Sequence, residues 1–280
     1  MIDYTKINSE TWNSWAEDGF VYTLPISHEE YEKTTADNFV VRLTPCITVP
    51  HEWFGELKGK KILGLASGGG QQMPVLSKLG AECTVFDYSD KQLEADRMVS
   101  EREGYNIEII KGDMSKPLPF ENESFDVIIN RHGDFNATEL YRLLKRGGIF
   151  ITEQVGGDND RDLVEMVLPN TEKPFPHLNL KEQKKVFEDA GFDIVEQAEA
   201  FRPIKFYDVG AFVWFARIIE WEFPEFSVDK CFEHLLEMQK KIDEKGCVEG
   251  TIHRYLIVAK NRFPYAYYSK MQKRQYRSLA

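Results

Sequence analysis

The chain has 280 residues, of which 42 % are hydrophobic and 29 % charged, enough apolar material for a sizeable core and without the bias of a disordered segment. Its net charge of −11 is uneven: Arg262, Lys270, Lys273, Arg274 and Arg277 give residues 261–280 a charge of +5 with no acid, leaving −16 on residues 1–260. An acidic body repels nucleic acid and membrane headgroups at long range, and the most apolar helical stretch, VGAFVWFARII, is too short to cross a bilayer. MIDYTKINSE lacks a basic n-region followed by an apolar run, and Cys46, Cys83, Cys231 and Cys247 lie far apart without CxxC spacing. A cytoplasmic protein with reduced thiols and no metal site is the expectation.

Residues 1–57 mix aromatics such as Trp12, Trp15 and Trp53 with charges and show no strand-like alternation, so they read as helices and loops packed on or over a sheet. Ser27-His28-Glu29-Glu30 has the pattern of a capping box opening a helix that runs to about Asn38, and Pro45 and Pro50 break the stretch after it. From Lys61 onward, strands and helices alternate. KILGL is a strand, followed by a helix from Gln72 to Leu79 that Gly80 stops. AECTVFD is a strand ending at Asp87, and Ser89 caps a helix that Gly104 closes. NIEII and FDVIIN are the next two strands, separated by the proline-broken loop SKPLPFENES. A short helix from Thr138 to Lys145 stops at Gly147-Gly148 before the strand IFITEQV. A helix from Leu180 to Ala190, the strand FDIVEQAEAF, helices Val209 to Glu222 and Val228 to Lys245, and a strand from Thr251 to Ala259 complete the series.

This alternation predicts an α/β fold: a Rossmann-like, doubly wound parallel sheet with helices on both faces, plus an N-terminal helical addition. Three segments are expected. Residues 1–57 form a helical or lid segment, 58–260 the main domain with a lid insertion near 203–250, and 261–280 a basic, aromatic tail. Ligands in such sheets bind at the C-terminal ends of the strands, where strand order reverses. The turn KILGLASGGGQQ is the first such end. Its fit to the dinucleotide fingerprint G-x-G-x-x-G is poor, because the third glycine falls on Met73, and no Gly-Lys-Ser/Thr comes after it to make a phosphate loop.

Ala66-Ser67-Gly68-Gly69-Gly70 resembles the G-x-G-x-G motif of the class I S-adenosylmethionine-dependent methyltransferases, with alanine in the first glycine place. Asp87 ends the second strand, where a short carboxylate suits two ribose hydroxyls. Lys111-Gly112-Asp113-Met114 comes after the third strand, LPFENESFDVIIN resembles the LPF-x-x-x-x-FD-x-V stretch of the ubiquinone and menaquinone pathway enzymes, and LLKRGGIFITEQ their LKPGG turn. The resemblance runs from Lys61 to Glu153 in order and spacing. It implies a seven-stranded, mostly parallel sheet, S-adenosylmethionine as cofactor, and contacts from Ala66, Ser67, Gly68, Gly70, Asp87, Tyr88, Asp113, Met114 and Asn130. One departure stands out: the acid usual two residues before the first motif glycine is Gly64 here, and Gln71 or Gln72 is expected to take over polar contacts at the methionine end.

The acceptor is expected over the ends of the fourth and fifth strands, with His132 as a general base for an oxygen or nitrogen acceptor. The N-terminal aromatics and the stretch PIKFYDVGAFVWFARIIEWEFPEF are expected to supply an apolar lid. A small-molecule acceptor is the leading reading. The competing ones are an RNA methyltransferase that uses the tail, whose aromatics interleave with cations, and a cofactor-binding protein without turnover.

Overall fold

A computed structural model describes residues 4–44 and 47–262. Pro45, Cys46 and the tail from Phe263 lie outside the described residues. Seven strands form one sheet in the order β3-β2-β1-β4-β5-β7-β6: β1 Lys61–Leu65, β2 Glu82–Asp87, β3 Glu108–Lys111, β4 Phe125–Arg131, β5 Leu144–Val155, β6 Phe192–Phe206 and β7 Val248–Asn261. The pairings of β1 with β2 and β4, of β2 with β3 and of β4 with β5 are all parallel. Ten α-helices among the described residues connect or flank the strands: α1 Tyr4–Glu17, α2 His28–Lys33, α3 His51–Phe54, α4 Met73–Lys78, α5 Asp90–Glu103, α6 Ala137–Leu143, α7 Arg161–Val167, α8 Leu180–Asp189, α9 Val209–Ile218 and α10 Phe232–Lys245. No described helix is long and apolar enough to cross a membrane.

The chain divides into two compact units: residues 1–153, 185–196 and 257–280, and residues 154–184 and 197–256. In the first, β1 is buried on both faces, as a central parallel strand must be, so its sequence is nearly continuously apolar. Strand order reverses between β1 and β4, whose ends Leu65 and Asn130 are paired neighbours. That reversal opens a crevice where ligands bind in this architecture. Phe135, Phe150, Phe187 and Phe192 pack ring against ring, filling another part of the core.

The second unit has its own core. Phe206, Phe212, Ala216 and Phe223 join Leu163, Val164, Leu235, Met238 and Ile242 there. The apolar stretch expected to act as a lid is thus largely spent on packing. Phe212 and Ala216 are buried and Val213 and Phe215 partly so, while Trp214 is 57 % exposed. A buried polar group lies in the same unit. The amide of Asn159 donates to Asp160, and its oxygen accepts from Arg254 and from the His253 backbone. Burial pushes both Asp160 and Glu222 up to about 7, each raised further by a neighbouring carboxylate.

Several boundaries differ from the sequence expectation for physical reasons. The capping box at Ser27 is present, but α2 ends at Lys33. The strand expected to start after Gly147-Gly148 begins at Leu144, because β5 pairs across a register shift that takes in Lys145–Gly148. β6 continues through Pro203 to Phe206; it is the last strand of the sheet, and an edge tolerates a missing N–H. The residues after β5 lead into α7, whose N-cap Asp160 has left-handed φ of 55°.

Candidate functional site

The residues after β1 make a turn held in a strained form. Ala66 has φ of 48°, Gly69 of 104° and Gly70 of 64°. Alanine in the left-handed region costs about 1–2 kcal/mol, so the first position of the motif requires glycine-like backbone even where glycine is absent. Around the turn there is no room for side chains. A Cβ on Gly68 would lie 2.6 Å from the Cβ of Gln92 and 3.1 Å from Oδ2 of Asp87. One on Gly70 would lie 2.8 Å from Val99.

The three turn amides are all committed to carboxylates. Gly68 N–H donates to Oδ2 of Asp87 at 3.0 Å, while Gly69 and Gly70 donate to the two oxygens of Asp96 at 3.0 and 2.9 Å. Asp87 also accepts from Ser89 N–H at 2.9 Å. Burial raises Asp87 above the usual carboxylate range against these backbone hydrogen bonds, and it pushes Asp96 up to about 7. This arrangement tests the cofactor directly. A pyrophosphate needs free amides and repels carboxylates, so it does not fit. A phosphate-free nucleoside with a hydroxyl to donate does fit, because the backbone of Gly68, Tyr88 and Ser89 takes three of the roughly four lone-pair sites of Asp87 and leaves room for a further donor.

Other expected contacts converge beside the turn. A Cβ on Gly133 would meet Ala66 at 2.7 Å, Asn130 at 2.9 Å and Met114 at 3.2 Å, which brings the ends of β1 and β4 and the loop after β3 into one place. Ser67 lies over Gly64, where a Cβ would sit 2.6 Å from Ser67 Cβ and 2.8 Å from Met73. Asp113 accepts from Ser115 N–H at 2.8 Å, and hydrogen bonding to Ser115 lowers it. Tyr88 is partly exposed, with the Lys111 ammonium over its ring. Gln71 and Gln72 also bond to the N-terminal segment. Gln71 donates to the carbonyls of Tyr22 and Leu24, and Gln72 to that of Arg42. With Ile26 N–H donating to the Gly70 carbonyl, these bonds fasten the N-terminal segment to the turn.

At the end of β4, His132 has φ of 59°, and its Nε2 lies 2.5 Å from Oε2 of Glu153 at the end of β5. Its backbone N–H donates to the Glu153 carbonyl at 3.1 Å. Glu153 is buried and His132 partly exposed, and Nδ1 of His132 has no protein partner among the described residues. A carboxylate on Nε2 makes that nitrogen the donor and leaves the lone pair on Nδ1. Sequence reasoning singles out His132 but gives no role to Glu153, Asp96 or Gln92. Asp96 does leave a trace: it falls on the buried face of α5 with Gln92, Leu93 and Val99, where an acid has no reason to be without a partner.

The strand order, the crevice at its reversal and the phosphate-excluding turn define a Rossmann-like fold of the class I methyltransferase kind. Residues 63–152 match the methyltransferase domain family. The chain is 43 % identical over 152 residues to the uncharacterized methyltransferase YbaJ of Bacillus subtilis, covering 52 % of this chain and 60 % of YbaJ. It is 33 % identical over 97 residues to demethylmenaquinone methyltransferase of Clavibacter sepedonicus, covering 32 % of this chain and 39 % of that enzyme. The chain thus spans less than two thirds of either relative. Among solved structures, a candidate methyltransferase from Bacillus halodurans aligns with TM-score 0.53 at 20 % identity, covering 73 % of this chain and 94 % of that one. YcgJ of Bacillus subtilis aligns with TM-score 0.50 at 19 % identity, covering 73 % and 93 %. At these identities the structural likeness is one of fold. Over residues 63–152 the likeness in sequence is to a methyltransferase domain.

Proposed function

We propose that the protein transfers a methyl group from S-adenosylmethionine to a small-molecule acceptor through a heteroatom that loses a proton. The His132–Glu153 pair, next in the chain to the Gly133 that packs against Ala66, Asn130 and Met114, carries this reading. Bound at the turn, the cofactor supplies an electrophilic methyl group on a sulfonium. Asp87 is the residue to accept from its ribose hydroxyls, with Ala66, Ser67, Gly68 and Gly70 as the shelf and Tyr88, Asp113, Met114 and Asn130 beside it. Glu153 holds the imidazole so that Nδ1 receives the acceptor's proton.

A charge of −16 on residues 1–260 favours a small acceptor over RNA. Free, buried thiols at Cys83 and Cys231 suit the reducing cytoplasm. The test is product formation from labelled S-adenosylmethionine with a panel of phenols, alcohols, amines and thiols, alongside transfer RNA. Turnover of a small acceptor that drops about 10²–10⁴-fold in His132→Ala supports the assignment. Turnover of RNA alone, or an unchanged rate in the variant, refutes it.

A further inference from the structure

We propose that Asp96 is the positioning residue of the cofactor turn: its ionised carboxylate bridges the amides of Gly69 and Gly70 and so fixes the shelf in the form that accepts the cofactor. The identity of the ligand rests on the methyltransferase reading; the role of Asp96 rests on geometry alone. Its side chain is 1 % exposed, and its two oxygens accept one amide each, at 3.0 and 2.9 Å. Both amides belong to residues with left-handed φ. Gly69 N–H is shared with the Gln92 carbonyl at 3.0 Å, while Gly70 N–H donates to Asp96, so one carboxylate spans both adjacent amides and fixes their relative orientation. A neutral acid can offer one carbonyl oxygen and one hydroxyl, so protonation weakens one of the two bonds.

The hold extends to both sides of one peptide. Gly70 donates its N–H to Asp96 and accepts from Ile26 N–H through its carbonyl, while Pro25 lies against its α-carbon. The charged and titratable groups facing Asp96 are Asp87 from β2, Arg97 from its own helix and Tyr105 from the loop after that helix. Burial keeps the Tyr105 phenol protonated well above the physiological range, so it contributes no charge there. Asp87 and burial oppose ionisation of Asp96, while the two amides and Arg97 favour it, and the balance places its titration at about 7. The shelf therefore changes its hold within the range of cellular pH.

The experiment is calorimetric titration of the full chain with S-adenosylhomocysteine between pH 6 and 8.5, in wild type and Asp96→Asn, with amide hydrogen exchange at Gly69 and Gly70 in the free protein. Wild-type affinity is expected to level off above about pH 7.5 and to fall toward tenfold per unit below 7. Asp96→Asn is expected to bind about tenfold more weakly at pH 8, to lose the pH dependence, and to exchange the Gly70 amide faster, Gly69 keeping the Gln92 carbonyl. Wild-type affinity flat across the range overturns the proposal without any variant. A slope that survives in Asp96→Asn assigns it to Asp87 and also overturns it. If neither protein binds S-adenosylhomocysteine, the cofactor reading fails. The Gly70 exchange rate then decides Asp96 on its own, an unchanged rate sinking its role and a faster one upholding it.

Discussion

Replacing Gly70 by alanine probes the turn more cleanly than removing any side chain, because the structure supplies its own control. Gly70 and Gly104 both have φ in the left-handed region, at 64° and 69°. Alanine in that region costs about 1–2 kcal/mol, offset by about 0.4–1 kcal/mol from a less flexible unfolded chain. At Gly104 nothing lies within 4 Å of an added Cβ, so Gly104→Ala carries only this backbone cost, about 1 kcal/mol. At Gly70 the same atom lands 2.8 Å from Cγ2 of buried Val99, 3.1 Å from the Ala95 carbonyl and 3.2 Å from Pro25. Overpacking of that kind adds about 1–3 kcal/mol, since a helix carbonyl cannot retreat. Urea unfolding of both variants should thus show Gly70→Ala less stable than Gly104→Ala by about 1–3 kcal/mol. Titration with S-adenosylhomocysteine should show weakened binding in Gly70→Ala alone. Equal stability losses, or full cofactor affinity in Gly70→Ala, would mean that the turn is not a tightly packed shelf.

Other parts of the molecule give further expected outcomes. Glu153→Gln keeps the shape of the side chain but can donate to Nε2 of His132, reversing the tautomer; kcat should fall by as much as about 10²–10⁴-fold, with the KM for S-adenosylmethionine unchanged. Loss of cofactor affinity in that variant would instead make Glu153 part of the shelf. In the second unit, Asp160 and Glu222 are both raised to about 7 from their ordinary 3.8 and 4.5. The favourable contribution of a raised acid is full below its ordinary pKa and is lost as pH rises through the folded value. Thermal midpoints should fall between pH 5 and 8, and Asp160→Asn or Glu222→Gln should flatten that decline. An unchanged slope in both variants would show that the two acids do not titrate as a buried pair.

The scaffold was legible because parallel strands buried on both faces announce themselves. KILGL, CTVF and DVIIN are apolar runs too short for helices and bounded by turn residues, and Ser89 and Gly104 mark the ends of α5 by capping chemistry alone. The lid was harder. VGAFVWFARI is apolar on most sides, and only packing decides that Phe212 and Ala216 face inward while Trp214 does not. The site divides the same way. The place of Asp87 at the end of β2, beside the turn, was readable. Asp96 and Glu153 were not, because their roles depend on partners 26 and 21 residues away, across the turn and across the sheet. At Gln72 the structure adds a task that local reasoning did not see: its amide reaches the Arg42 carbonyl of the N-terminal segment.

Gly64 has a consequence for how this chain can change. The position is closed by Ser67 and Met73, so no side chain fits there while both remain. Restoring the acid that related enzymes carry is therefore not a one-step event. Gly64→Asp alone must collide, and clearing Ser67 alone opens a void without a replacement anchor. Each intermediate is worse than either end, and the two arrangements stand as separate solutions with a barrier between them. A redesign that seeks to regraft the acid has to replace strand and turn as one block.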